Sequence, residues 1–163
     1  TYDNSLDDSL VYTGSKKLTD KIEGYNHDVG KLVLSPTRTY APVVKEIISK
    51  VGVSNIDGMI HCSGGAQTKV LHFVENKHII KDNLFNTPII FDLIQDESKT
   101  SWKEMYQVFN MGHRLEIYTD ELSAQKIIDI SASFNLEAKI IGRVEDSKSN
   151  KLSISGDKGN FEY

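Results

Sequence analysis

The sequence predicts an α/β fold, a mixed sheet layered with helices packed on it. Three observations carry this expectation. Short apolar runs of strand character alternate with longer segments whose apolar residues recur at helical spacing. Glycine, proline or polar turn residues separate most of these segments. The chain has 163 residues, 39% hydrophobic and 26% charged, enough for one self-sufficient core and unlike the composition of a disordered chain. No solenoid period or low-complexity tract is present.

Residues 1–30 read as an extended arm or linker, acidic through Asp3, Asp7, Asp8, Asp20 and Asp28. The folded domain is expected over 31–163. Leu32-Val33-Leu34, bounded by Gly30 and Pro36, reads as a buried strand. Pro42 suits a first helical turn, where its missing N–H needs no partner. Val43, Val44, Ile47, Ile48 and Val51 continue that helix, and Gly52 stops it. Residues 57–62 read as a second strand that breaks at Ser63-Gly64-Gly65. Residues 66–74 place Val70, Leu71 and Val74 at helical spacing. Residues 77–81 read as a strand around Ile79 and Ile80. Thr87 is expected to cap, and Pro88 to open, a helix through Ile89, Ile90, Leu93 and Ile94. Ser101 and Glu104 have capping-box spacing ahead of Trp102, Met105, Tyr106 and Phe109. Over 114–118, Leu115 and Ile117 alternate with Glu116 and Tyr118, as in a half-buried strand. Residues 121–134 place Leu122, Ile127, Ile128 and Ile130 on a helix. Residues 138–144 and 151–155 read as strands joined by the polar turn 145–150.

Composition excludes several classes of function. No apolar run approaches the ~18 residues of a membrane helix, so no membrane partner is expected. A formal charge of −4 argues against a nucleic-acid partner. Cys62 is the single cysteine, which excludes an internal disulfide and fits a reducing, cytoplasmic compartment. The first residue is Thr1 and no signal-peptide pattern follows, so the chain is expected to be processed or cut from a longer protein, the second being preferred.

Three segments have the residue types of a binding site. In 61–69, a strand ends at His61, Gly64 and Gly65 free the backbone, and Ser63, Thr68 and Lys69 add donors and charge, which suits phosphate. The spacing is neither a Walker loop nor a dinucleotide fingerprint, and a tight turn without ligand is the alternative. Ser35, Thr37, Arg38 and Thr39 precede a helix start; three hydroxyls beside a guanidinium suit an anion, and a polar capping turn is the competing interpretation. If the strands before these two loops are parallel, the loops share one rim of the sheet. Asn110 and Gly112 lie between an aromatic-rich helix and a strand, where a helix C-terminal turn is the simpler interpretation. His27, His72, His78 and His113 show no metal-ligand spacing, so no metal site is expected. Cys62, in an apolar strand, reads as an inert thiol.

Together these segments resemble the C-terminal domain of the aminoimidazole ribonucleotide synthetase family, also called phosphoribosylformylglycinamidine cyclo-ligases. Residues 30–47 look like the family's strand, hydroxyl-rich loop and helix. Met-Ile-His-Cys-Ser-Gly-Gly at 59–65 is similar to its His-x-Thr-Gly-Gly-Gly turn. Met-Tyr-Gln-Val-Phe-Asn-Met-Gly at 105–112 matches Met-Tyr-x-x-Phe-Asn-Met-Gly, the most specific of the three. Ile-Ile-Gly-Arg-Val at 140–144 fits the closing unit. Two positions depart from the pattern: Arg38 stands at the histidine of the usual Ser-Gly-x-His-Ser-Asn-Gly loop, and Ala66 stands at the third glycine of the turn.

The resemblance implies ATP-dependent closure of an imidazole ring on formylglycinamidine ribonucleotide, in purine synthesis. It implies ATP and Mg2+ held mainly by an N-terminal ATP-binding domain, which also forms a homodimer. This domain would contribute the phosphate and ribose pocket of a small-molecule nucleotide substrate, through His61, Ser63, Gly64, Gly65, Asn110 and Gly112. The isolated chain is then expected to have no turnover. A sister enzyme of the same architecture, such as an amidotransferase or a selenide or thiamine-phosphate kinase, is the alternative enzyme. A phosphate-binding or dimerisation module is the alternative outside catalysis.

Overall fold

A two-stranded antiparallel ribbon divides the hydrophobic core in two. The computed structural model describes residues 5–7, 14–35 and 38–163. Strand β1 (Gly58–His61) pairs with β3 (Leu115–Tyr118), with Met59 opposite Ile117 and Ile60 opposite Glu116. Alternate residues of a pleated strand face opposite sides. Met59 and Ile117 therefore pack against helices α2 (Ala41–Val51) and α5 (Glu121–Ser133), through Val43, Ile47, Val51, Ile127 and Ile130. Ile60, Cys62 and Tyr118 join the larger core with Val70, Ile79, Met105, Tyr106, Met111, Leu152 and Ile154.

That larger core lies on a four-stranded mixed sheet of order β4-β2-β5-β6. Its strands are β2 (Lys77–Lys81), β4 (Gly142–Asp146), β5 (Lys151–Gly156) and β6 (Gly159–Glu162). β2 and β5 run parallel, while β4 and β6 close the edges antiparallel. Helices α3 (Ile89–Ser98) and α4 (Trp102–Val108) contribute Phe91, Ile94, Met105 and Tyr106. At Gly142 the strands approach so closely that a Cβ would fall 1.8 Å from the Ile80 carbonyl oxygen.

The mixed sheet with helices is as the sequence predicts, but it is split into two sheets, and several elements differ. Residues 32–34 are not a buried strand. Val29–Val33 forms the short helix α1, whose start is capped by the Asp28 carboxylate accepting from the Lys31 N–H. Val33 and Leu34 are 57% and 78% exposed. Three apolar residues carry no periodicity of their own, so the cap decides the local conformation. The helix over 66–74 is a 3-10 helix at Ala66–His72. Pro88, not Thr87, takes the cap position of α3, and the Thr87 hydroxyl donates instead to Asp157 at 2.9 Å. The strand expected at 138–144 is shifted to Gly142–Asp146, so Glu145 and Asp146 lie in an edge strand whose register β2 sets. Strand β6 was not expected. Leu122 is 81% exposed in the first turn of α5, and Glu116, expected on the polar side of β3, is buried. The Ser101 cap on Glu104 is as expected.

Of the arm expected over 1–30, residues 1–4 and 8–13 lie outside the described residues. The later part folds back locally: Val29 donates to the Asp20 carbonyl and Gly30 to that of Leu18, at 3.0 and 2.7 Å. Ser15 is held by the Glu97 carboxylate at the far end of α3.

Candidate functional site

Because β1 and β3 are antiparallel, the end of one lies beside the start of the other. The Cys62 N–H donates to the Arg114 carbonyl at 2.9 Å. Residues 63–65 and residues 110–113 therefore leave the ribbon from the same end, although 45 positions separate them. The antiparallel pairing also removes the premise of a rim built by parallel strands, and the segment at 35–39 follows a helix.

The loop after β1 turns twice. Ser63 N–H donates to the His61 carbonyl and Ala66 N–H to the Ser63 carbonyl, both at 2.8 Å. Gly65 and Ala66 are both left-handed, with φ of 82° and 42°. This conformation penalises any Cβ, which explains why glycine suits position 66 in the related motif. A Cβ on Gly64 would meet nothing within 4 Å, so the backbone there is open. Among the described residues, the N–H groups of Gly64 and Gly65 donate to no protein acceptor. The Lys69 ammonium folds back beside them, donating to the His61 carbonyl at 3.1 Å and to the Ser63 hydroxyl at 3.0 Å. An ammonium has three donors, so one stays available. The Thr68 hydroxyl is committed to the Gly65 carbonyl at 2.9 Å.

The second segment is a tight left-handed turn. The Asn110 side-chain oxygen accepts from Gly112 N–H at 2.9 Å, and its carbonyl accepts from His113 N–H at 2.8 Å. Met111 and Gly112 have φ of 51° and 97°. A Cβ on Gly112 would sit 3.0 Å from Pro88 Cδ. Gln67 joins the two segments, donating from Nε2 to the Asn110 carbonyl at 2.8 Å.

Beneath them lies a buried polar cluster. Lys81 Nζ donates to the Gln67 carbonyl and Oε1, each at 2.9 Å, and to Glu116 Oε1 at 2.6 Å. Tyr118 donates to Glu116 Oε2 at 2.8 Å. Burial, and then the Glu116 carboxylate, push the Cys62 thiol up to about 12, which makes it inert. Burial lowers His113 to about 4.

The structure thus brings together His61, Ser63, Gly64, Gly65, Lys69, Asn110 and Gly112. It does not join Ser35, Arg38 or Thr39 to them by any hydrogen bond or ion pair among the described residues. Thr37 lies outside the described residues. Arg38 and Thr39 line a cleft of about 220 Å³ with Pro42, Val43, Phe134 and Leu136, next to the α2–α5 core. Sequence reasoning missed Gln67, Lys81 and Glu116. One signal was legible: Glu116 has the parity of Tyr118, an aromatic that packs against the core.

Among the described residues, no group of three or more His, Cys, Asp or Glu side chains could hold a metal ion. No described helix is long and apolar enough to cross a membrane. Among the described residues, the exposed loop thus carries two backbone amides without a protein acceptor, a hydroxyl and an ammonium, the donor types that suit an anion.

Residues 8–155 match the family described as AIR synthase related protein, C-terminal domain. The chain is 33% identical over 141 residues to a phosphoribosylformylglycinamidine cyclo-ligase of Methanocaldococcus jannaschii, covering 86% of this chain and 39% of that protein. It is 30% identical over 155 residues to the enzyme of that name from Syntrophus aciditrophicus, covering 93% and 44%. For the Methanococcus maripaludis strain C5 protein the identity is 34% over 119 residues, covering 73% and 33%. The chain spans well under half the length of these relatives.

Proposed function

Since the chain belongs to the AIR synthase related protein family, as its C-terminal domain, we propose that it serves an ATP-dependent phosphoribosylformylglycinamidine cyclo-ligase of purine biosynthesis. Its share of the work is to hold the phosphate end of the nucleotide substrate. The observation that carries this reading is the pair of unpartnered amides at Gly64 and Gly65 beside the Lys69 ammonium. Backbone N–H groups without a protein acceptor, with a cation on the same loop, lower the free energy of a bound phosphate. Ser63 adds a hydroxyl, His61 shapes the loop through its carbonyl, and Asn110 and Gly112 form the facing wall.

Among the described residues, no three or more His, Cys, Asp or Glu side chains are grouped as a metal site. ATP and Mg2+ fall to an ATP-binding domain in the rest of the enzyme, and no chemical step is routed through this chain. The enzyme is a cytoplasmic homodimer whose ligands are small molecules, not nucleic acid or membrane, with no turnover from these 163 residues alone. Ser35, Thr37, Arg38 and Thr39 are proposed as a second anion contact.

The test is ATP-dependent formation of aminoimidazole ribonucleotide by the full-length enzyme. Gly65→Asp places a carboxylate among the amides. It should raise KM for the ribonucleotide by at least about tenfold and leave KM for ATP unchanged. An enzyme that makes no aminoimidazole ribonucleotide would refute the cyclo-ligase reading. Unchanged KM in Gly65→Asp would refute the phosphate site.

A further inference from the structure

Gln67, Lys81 and Glu116 make no contact with the exposed amides, yet they are 0%, 2% and 6% exposed. Burying an ammonium strips its hydration, and such groups persist only when fully paired. Lys81 meets that condition. Its three donors are taken by the Gln67 carbonyl, Gln67 Oε1 and Glu116 Oε1 at 2.9, 2.9 and 2.6 Å. The second Glu116 oxygen accepts from Tyr118. The Gln67 Nε2 group then donates to the Asn110 carbonyl at 2.8 Å, the same oxygen that accepts from His113 N–H.

This arrangement has a direction. Lys81 is fixed on β2 in the four-stranded sheet. Gln67 lies two residues after Gly65, and Asn110 opens the facing turn. Among the described residues, no hydrogen bond runs directly between residues 61–66 and residues 110–112. Beyond the β1–β3 ribbon itself, the link between the two walls passes through Gln67, and Gln67 is held at two points by one ammonium. Stability alone does not call for such a device, because a buried ion pair replaced by apolar side chains of similar volume is often no less stable.

We propose that Lys81 is a positioning residue: its buried ammonium, acting through Gln67, sets the spacing between the Gly64–Gly65 amides and the Asn110–Gly112 turn. The proposal rests on the reading that these two segments form one anion site. The class of ligand is a sugar phosphate whose phosphate meets the loop and whose polar body meets the turn.

Two variants of the full chain test it. Lys81→Met with Glu116→Leu removes both charges together. Gln67→Met keeps the ion pair and cuts the link. Amide hydrogen exchange is read at Ala66, Thr68, Gly112 and His113, all hydrogen-bonded in the structure. We expect these four amides to exchange at least about tenfold faster in both variants, with the β2–β5 ladder unchanged. Affinity for ribose 5-phosphate, measured by calorimetry, should fall at least about tenfold in both. Unchanged exchange at Gly112 and His113 in both variants would overturn the proposal. So would an equal rise at every amide, which marks global destabilisation. If Gly65→Asp abolishes ribose 5-phosphate binding but both network variants keep it, the proposal fails and the site reading stands. If Gly65→Asp changes nothing, the site reading fails, and a local exchange rise still supports coupling of the two segments through Lys81.

Discussion

Acid should destabilise this domain through His113, and the size of the effect follows from its surroundings. His113 is 5% exposed and lies against Phe85, with ring centroids 5.2 Å apart. Its Nε2 accepts from Phe85 N–H at 3.0 Å, which assigns the proton of the neutral ring to Nδ1. Nδ1 is buried without a well-formed partner. Burial is the largest influence and lowers the pKa from 6.5 to about 4. Glu116 on β3 and the Met111 carbonyl oppose it, while Lys81 on β2 and Lys139 add to it. The folded pKa is below the unfolded one, so in the window between them the unfolded chain binds more protons. Stability is therefore complete above about pH 6.5, falls as pH drops toward 4, and levels off below. At about 1.4 kcal/mol per pH unit the loss reaches about 2 kcal/mol by pH 5 and about 3 kcal/mol in full. Exposed carboxylates also titrate in acid, so the comparison is with His113→Gln, which keeps an acceptor for Phe85 and cannot take up the proton. Urea unfolding followed by Trp102 fluorescence at pH 7 and pH 5 should show wild type losing about 2 kcal/mol more than the variant. Equal losses in the two proteins would refute the reasoning.

Three further outcomes follow from single contacts. Gly142→Ala sets a Cβ against the Ile80 carbonyl. It should separate β4 from β2 and cost about 3 kcal/mol or more by urea unfolding; a loss under about 1 kcal/mol would contradict the close approach. Glu116→Gln leaves the Lys81 ammonium buried opposite a neutral amide. It should cost about 3–5 kcal/mol, most of it recovered when Lys81→Met is added, as a double-mutant cycle would show. Cys62 is 3% exposed with its thiol near 12. Its reaction with a disulfide reagent at pH 8 should be at least about a hundredfold slower in the folded protein than in urea; equal rates would mean that the thiol is accessible.

The elements legible in the sequence are those whose signals lie within a few residues. Pro42 and Gly52 bracket α2 with apolar residues between them at helical spacing. Ser101 caps α4 through an N–H three residues on. The alternation in β3 and the apolar run of β2 identify both strands. Among the candidate site residues, Gly64, Gly65 and Lys69 stood out because glycines and a cation after a strand are a local pattern. Where a segment was too short to carry a period, as at Leu32-Val33-Leu34, the Asp28 cap decided, and hydrophobicity misled. Thr87 has the identity of a cap, but Asp157, seventy positions away, takes its hydroxyl.

Amino-acid order alone was thus enough for the fold class and for most of the helices and strands. Each of these depends on backbone geometry and side-chain period over one or two turns. Tertiary structure decided that the sheet is split, that residues 63–65 and 110–112 meet at one end of a ribbon, and that Arg38 stands apart from them. It also decided that Glu116 faces inward. A carboxylate in a strand reads as solvent-facing until a buried ammonium from another strand is placed 2.6 Å away. Partners 35 positions apart leave no periodic trace, because their attraction acts only after the chain has closed the loop between them.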